Sequence, residues 1–335
     1  MNYFSKSIFA LILQINLISI VYAQNSDSIK FISYKEKIML KVNLDTQTEE
    51  FVLSNQNDIY KLALNNKIKL GLSIDYEFIS AIISFTPNFL PGNNDDQSKG
   101  KSSFTDLKFR FFPGRFIQTF HYKRLKGFYL KNTREFIANW QEENNTYLKF
   151  PDLKSTTFGG STSFVFRPEF SLKSLLYQRE WQKYSAGSLV PSVNYDLTFL
   201  TDDFGTFTGT ERELDLSLDL AYYYNWVIAE KFTVAPYAYT GAGVRFTKYR
   251  QQGEINSVEK NKYFTYEFGT GIYLGFNSDK FLFGGRLNYA SFNYKPDENR
   301  FTDNSLYGLI FVGYRFNPPK KVENIYEKVE EKNPF

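Results

Sequence analysis

Residues 213–225, ELDLSLDLAYYYN, alternate without a break. Leu214, Leu216, Leu218, Leu220, Tyr222 and Tyr224 fall on one face, and Glu213, Asp215, Ser217 and Asp219 on the other. That period of two fits a strand and not a helix. Residues 188–200 repeat the pattern, setting Leu189, Val193, Tyr195, Leu197 and Phe199 against Ser188, Ser192, Asn194, Asp196 and Thr198. So do residues 263–276, with Phe264, Tyr266, Phe268, Ile272, Leu274 and Phe276 opposite Glu267, Gly269, Gly271 and Gly275. Read this way, the chain predicts about twelve strands, at 66–76, 78–87, 103–112, 115–126, 157–167, 169–178, 187–200, 212–225, 231–248, 262–276, 280–294 and 305–316.

The connections sort by length. Short turns are expected at Glu77, Pro113-Gly114, Pro168, 226–230 and 277–279, and longer polar loops at 88–102, 127–156, 179–186, 201–211, 249–261 and 295–304. Alternation of short and long connections is the asymmetry of an outer-membrane barrel, with short periplasmic turns, long surface loops and both termini in the periplasm. A soluble β-sandwich has no reason to sort its loops in this way. The fold class expected is therefore all-β, a closed antiparallel transmembrane β-barrel of about 12 strands over residues 65–316. Residues 24–64, where Ile38, Leu40, Val42 and Leu44 alternate ahead of Glu50 to Leu53, read as an N-terminal periplasmic segment or an extra strand pair. Residues 317–335 begin with Pro318-Pro319, which cannot continue a ladder, and read as a mobile, charged periplasmic tail.

Composition narrows the compartment and the chemistry. Lys6, an apolar run from Ile8 to Val21 broken by Gln14, Asn16 and Ser19, and the small-residue end Val21-Tyr22-Ala23 read as a signal peptide over 1–23. The run is too short and too interrupted for a spanning helix, which needs about 20 apolar residues. The expected location is the cell outer membrane, with the protein integral and its termini periplasmic. Aromatic residues are 19% of the chain, yet the mean hydropathy is -0.39. A barrel reconciles the two, because lipid-facing and lumen-facing residues cancel in the average. The absence of cysteine removes disulfides and thiolate chemistry, a single histidine excludes a three-histidine zinc site, and no cofactor is called for. A dispersed net charge of +4 gives no case for nucleic acid. The partners expected are outer-membrane lipid and the barrel-assembly machinery, with a small solute or surface partner left open.

Alternation also places charges inside. Asp106, Lys108, Arg110, Arg115, Lys123, Asp196, Asp215, Asp219, Arg245, Glu267 and Arg286 are expected to face the lumen. Buried charges persist only when paired or wet, so the interior is salt-bridged or aqueous. A barrel of this size lies between small filled ones and open porins, and structural pairing is favoured over selective permeation. His121, on the face opposite Phe116, Phe120 and Tyr122, invites an acyl-transfer reading, but no GxSxG elbow accompanies it and an ordinary lumenal histidine is the simpler account. The acidic pieces at 93–96 and 201–203 lack the ligand spacing of a calcium loop. Lys123, Arg124 and Lys126 fit either a lipid headgroup contact or a solvated strand end.

One stretch, QREWQKYSAGS over 178–188, has almost no alternation. With its approach FSLKSLLY, it resembles the corresponding part of domain of unknown function family 4421, from Bacteroidetes-type bacteria. The match includes Gln178, Glu180, Gln182 and the run Ser185 to Ser188. KGFYL at 126–130, YLKFPDLK at 147–154 and LGLSIDYEF at 70–78 are similar to other parts of the family, so the resemblance covers roughly 30–316. It implies an outer-membrane barrel of unassigned role and supplies no catalytic residues. Physically, a strand leaving a turn at Pro168 would reach the outer surface near Gln178. This makes Glu180, Trp181 and Gln182 a surface crest, with Trp181 at the membrane interface. The reading that results is a non-enzymatic barrel, envelope-structural or a narrow permeation path. A lipid-modifying enzyme using His121, or a surface ligand-binding protein using the 127–156 loop with Trp140 and Tyr147, stand as alternatives.

Overall fold

The computed structural model describes residues 30–48, 50–55, 58–203, 208–228, 231–252, 257–294 and 301–330; the proposed signal peptide lies outside them. Alternating residues become strands wherever both faces have a partner medium. In chain order these are β1 (Phe31–Ser33), β2 (Ile38–Asp45), β3 (Glu50–Asn55), β4 (Asp58–Ala63), β5 (Lys69–Tyr76), β6 (Ile79–Phe85), a short helix α1 (Asp96–Lys99), β7 (Ser103–Phe111), β8 (Phe116–Leu130), β9 (Lys149–Phe164), β10 (Glu180–Gln182), β11 (Ala186–Asp203), β12 (Thr208–Ile228), β13 (Phe232–Gln252), β14 (Ser257–Asn277), β15 (Phe281–Tyr294), β16 (Phe301–Phe316) and a terminal helix α2 (Lys320–Glu330). The main sheet has 14 strands, of which β3 and β4 form a hairpin on the rim of β8, so twelve close the barrel. Every neighbouring pair is antiparallel, and the ring shuts where β16 meets β2, with Phe316 opposite Ile38 and Leu309 opposite Asp45. Paired strands run all the way round the ring, the closure that a membrane core requires.

Two expectations change. The segment 169–178 is not a strand, and β2 takes its place in the ring, so the barrel begins at Ile38. All of 165–185 is then one connection at the end that carries the short turns. This removes an inconsistency in the expected order, where the long loops 179–186 and 201–211 would have followed one another with a single strand between. The tail expected to be mobile is helical in α2, and the ring of Tyr326 packs edge-on to Tyr76 at 5.6 Å.

The outer face is apolar. In β12 Leu214, Leu216, Leu218, Leu220, Tyr222, Tyr224, Trp226 and Ile228 are all exposed, and Leu40, Val42, Ile310 and Val312 continue the belt across the closing seam. Such a surface is far larger than the apolar patches of water-soluble monomers and is the surface that lipid covers. The wall is uneven in height. β2, β5, β6 and β7 have 8, 8, 7 and 9 residues, whereas β12, β13 and β14 have 21 each. At about 3.3 Å per residue and a tilt of about 40°, the short strands rise only about 20 Å, and the long ones project well beyond a hydrocarbon band of about 25 Å. On the low side β8 carries a bulge between Lys126 and Phe128. Gly127 there has φ +77, and a Cβ would lie 2.1 Å from the Lys101 carbonyl oxygen, so only glycine fits.

Inside, two apolar clusters are separated by polar space. One, near the long-loop end, joins Leu62 of β4 and Leu64 just after it to Phe104, Leu125, Phe128, Leu153 and Leu200 on the inner wall. The other lies at the short-turn end and is built around the 165–185 connection.

Candidate functional site: a plugged, charge-divided lumen

The 165–185 connection enters the barrel because its apolar spacing suits a helical turn and not a strand. Phe170 and Leu172 start with a period of two, then Leu175 and Leu176 follow Leu172 at three and four residues, and Lys173–Tyr177 form a single π-helical turn. Leu175 has 0% exposure. It shares one buried apolar cluster with Met39 of β2, Ile117 of β8, Val190 of β11, Ala235 of β13, Tyr273 of β14, Leu282 of β15 and Phe311 of β16, residues drawn from around the ring. The segment is therefore a plug.

Polar contacts lock it. Gln178 stands in the left-handed region at φ +57, a conformation that costs a non-glycine residue about 1–2 kcal/mol and so has to be held by its surroundings. Its amide donates to Leu175 O at 2.9 Å and to the Tyr273 hydroxyl at 3.3 Å, while its Oε1 accepts from Lys41 Nζ at 2.7 Å. Arg315 donates to the Gln178 carbonyl. Arg179 Nη1 lies 3.3 Å from Asp75 Oδ1, donates to Ile79 O at 3.1 Å and stacks on Phe112 at 4.6 Å. Gln182 Oε1 accepts from Ser171 N at 2.9 Å and from Asn225 Nδ2 at 3.1 Å. Finally β10 pairs with β1, Trp181 opposite Ile32, so the N-terminal strand fastens the plug.

This corrects the placing of Glu180, Trp181 and Gln182 as a surface crest. They lie at the short-turn end, off the barrel wall, and alternation stops at 165 because the chain leaves the sheet and not because it leaves lipid. Lys173, 3.8 Å from Glu180, is held below the usual lysine range by burial, with Glu180 acting against that shift.

Beyond the plug the lumen divides by charge. One cavity, about 360 Å³, is bounded by Phe104 of the upper apolar cluster and by Leu175 to Gln178 of the plug, and receives Lys41, Lys69, Lys108, Arg110, Lys123 and Arg286 against Asp45 and Asp106. A second, also about 360 Å³, receives Asp196, Asp215, Asp219 and Glu267 against Arg245. Within them Lys108 pairs with Asp106 at 2.8 Å, and Arg245 grips Asp215 with Nε at 2.7 Å and Nη2 at 3.0 Å. Asn194 Nδ2 donates to Ser217 Oγ at 3.0 Å and to Asp219 at 2.5 Å. The ring order puts β2, β5, β6 and β7 across the barrel from β11, β12, β13 and β14, so the side that carries Lys41, Lys69, Lys108 and Arg110 faces an acidic one.

The family model for a domain of unknown function, DUF4421, matches residues 25–316. The chain belongs to that family. No curated protein matches its sequence. Among solved structures, the translocator domain of autotransporter NalP from Neisseria meningitidis is similar at 12% identity and a TM-score of 0.40, over 93% of this chain and 98% of that one. An outer membrane channel from Pseudomonas putida F1 is similar at 8% identity and 0.38, over 88% and 100%, and the outer membrane protease OmpT from Escherichia coli at 9% and 0.31, over 87% and 100%. At these values the likenesses assign no role, and the site of this DUF4421 member has to be read from its own residues.

The remaining candidates fall into place individually. Lys108, Arg110, Asp215, Asp219, Arg245, Glu267 and Arg286 all line one of the two cavities, as do Asp106, Lys123 and Asp196. Arg115 does not. It sits in the β7–β8 turn, stacks on Phe164 at 4.8 Å and donates to Phe166 O, because its strand starts one residue later. His121 lies 3.2 Å from Asp196 Oδ1. Among the described residues no group of three or more His, Cys, Asp or Glu is placed to hold a metal. Asn93, in the acidic piece at 93–96, is a buried staple: Oδ1 accepts from Lys67 N and Ile68 N, and Nδ2 donates to Ile68 O and Pro87 O. Trp140 and Tyr147 pack on one another at 4.7 Å, with the indole donating to Thr146 O, and so hold their loop together from within. What sequence reasoning missed were Lys41, Asp75, Gln178 and Arg315. The inward parity of Lys41, Asp75 and Arg315 was readable in their strands, but their common partner, the plug that Gln178 belongs to, was not.

Proposed function

We propose that this chain is an integral outer-membrane barrel, non-enzymatic, that admits a small polar solute to a narrow lumen and is closed in this state by residues 165–185. The observation that carries the reading is the single buried cluster that joins Leu175 of the plug to inner-wall side chains from β2, β8, β11, β13, β14, β15 and β16. An apolar exterior supports the membrane, and a divided, charged interior supports a wet lumen, since charges so placed need water or partners. On this reading the long-loop end faces outward, the short-turn end with both termini faces the periplasm, and assembly proceeds through lipid and the barrel-assembly machinery. The plug is held by side-chain contacts and by the short β1–β10 pairing, with no covalent crosslink to the wall, so it can be displaced without dismantling the wall.

The test is electrical. In planar bilayers the intact protein should be almost silent, and a variant lacking Ser171 to Tyr177 should show stepwise conductance. Equal conductance from the two proteins, open or closed, would refute the plug as the barrier.

A further inference from the structure

The cavity on the low side of the barrel carries more than is needed to hold the wall together. Six cationic side chains face it and two carboxylates answer them, Asp45 and Asp106. The acids are already engaged, Asp106 with Lys108 at 2.8 Å and Asp45 with Lys69 at 3.9 Å. Arg110 and Arg286 each keep a buried Nε without an acceptor. Tyr177 of the plug stacks under the Arg110 guanidinium at 4.7 Å, which fixes its plane without supplying an oxygen. Two guanidinium groups with an Nε–H unanswered, one of them stacked on a ring, and with like charges gathered around them, are complementary to an oxyanion that can take several charge-assisted bonds at once. The volume, about 360 Å³, is within the roughly 300–1,000 Å³ of small-molecule sites. All of these side chains belong to inward positions or to the plug, so the ligand is a free solute and not a lipid headgroup.

We propose that this basic chamber binds a small multivalent oxyanion of the phosphate class, with Arg110 and Arg286 as its principal ligands and Lys41 and Lys108 completing the charge. The proposal rests on the lumen being wet, as above, but its readout is binding to the closed protein and not conductance. Lys41 also donates to Gln178 at 2.7 Å, so an anion drawing Lys41 away would loosen one tie of the plug.

The purified full chain, in a detergent free of phosphate, is titrated calorimetrically with pyrophosphate at low salt. Binding is expected at sub-millimolar concentration and should weaken with added salt, as a multivalent anion's must. Arg110→Gln with Arg286→Gln should raise the dissociation constant at least about tenfold, whereas Asp215→Asn in the acidic cavity should leave it within about twofold. Should the double variant fail to assemble, line broadening of the phosphorus NMR signal of pyrophosphate by the unaltered protein, against no effect on a putrescine dication, serves in its place. No saturable binding by the unaltered protein, or binding that survives loss of both arginines, would overturn the assignment. Bilayer silence of the plug deletion would refute the permeation reading and leave this measurement standing.

Discussion

Arg179→Ala is the sharpest perturbation of the plug. The guanidinium lies 3.3 Å from Asp75, and the two side chains are only 6% and 5% exposed. Removing it leaves a buried carboxylate without its paired cation, with only the more distant charges of Lys41 and Arg315 to answer it, which costs up to roughly 3–5 kcal/mol. When the plug swings away, water reaches Asp75, so this penalty falls on the closed state alone. At about 1.4 kcal/mol per factor of ten, a loss of about 3 kcal/mol shifts the closed-to-open ratio more than about 100-fold. Open probability in planar bilayers should rise accordingly, and trypsin should cut after Lys173 in the variant at a concentration that spares the parent. Adding Asp75→Asn removes the stranded charge and should restore much of the closure, a coupling that a double-mutant cycle measures. Conductance and cleavage of Arg179→Ala indistinguishable from the parent would refute the reasoning.

Three further outcomes follow from other parts of the wall and loops. Leu218, 67% exposed on the outer face of β12, should tolerate arginine poorly: refolding into liposomes from urea should show a loss of about 2–4 kcal/mol if the position lies near the bilayer midplane. Asn93→Ala strands two backbone donors, at Lys67 and Ile68, and should cost about 1–3 kcal/mol locally, read as faster proteolysis of the 86–102 loop with the heat-modifiable barrel unchanged. Tyr147 is raised above the ordinary tyrosine value of 10.0 by burial and by its bond to Glu142 at 2.6 Å. Its folded pKa exceeds its unfolded one, so its contribution is intact below pH 10 and is lost as pH climbs toward the folded value. Ultraviolet titration should find one tyrosine of the loop ionising late, and Glu142→Gln should bring it earlier.

Most of the wall was legible because each strand records lipid and lumen residue by residue. β12 needed nothing beyond the alternation of 213–225 to be assigned, though it runs on to Ile228, and the inward parity of Asp215 and Asp219 came with it, as that of Arg245 and Glu267 came with β13 and β14. Two places failed for physical reasons. β2 alternates from Ile38 to Leu44 but is 8 residues long, so local pattern could not tell a barrel strand from a hairpin; its pairing with both β16 and β5 decides it. The plug borrows the composition of a strand for its first residues, and its polar anchors Gln178 and Gln182 are buried by partners more than a hundred residues away in the case of Lys41. The division into basic and acidic walls was not readable either, since it depends on which strands stand opposite one another around the ring.

The claim on which the rest depends is that the outward face alone meets lipid. The chain has three tryptophans, Trp140 packed within a loop, Trp181 in β10 at the plug and Trp226 exposed on the outside of β12. Single-tryptophan proteins in vesicles of lipid brominated near the headgroup give the direct reading. Strong quenching of Trp226, with Trp140 and Trp181 little affected, is the predicted result; quenching of Trp181 as strong as that of Trp226, or none at either, would contradict it.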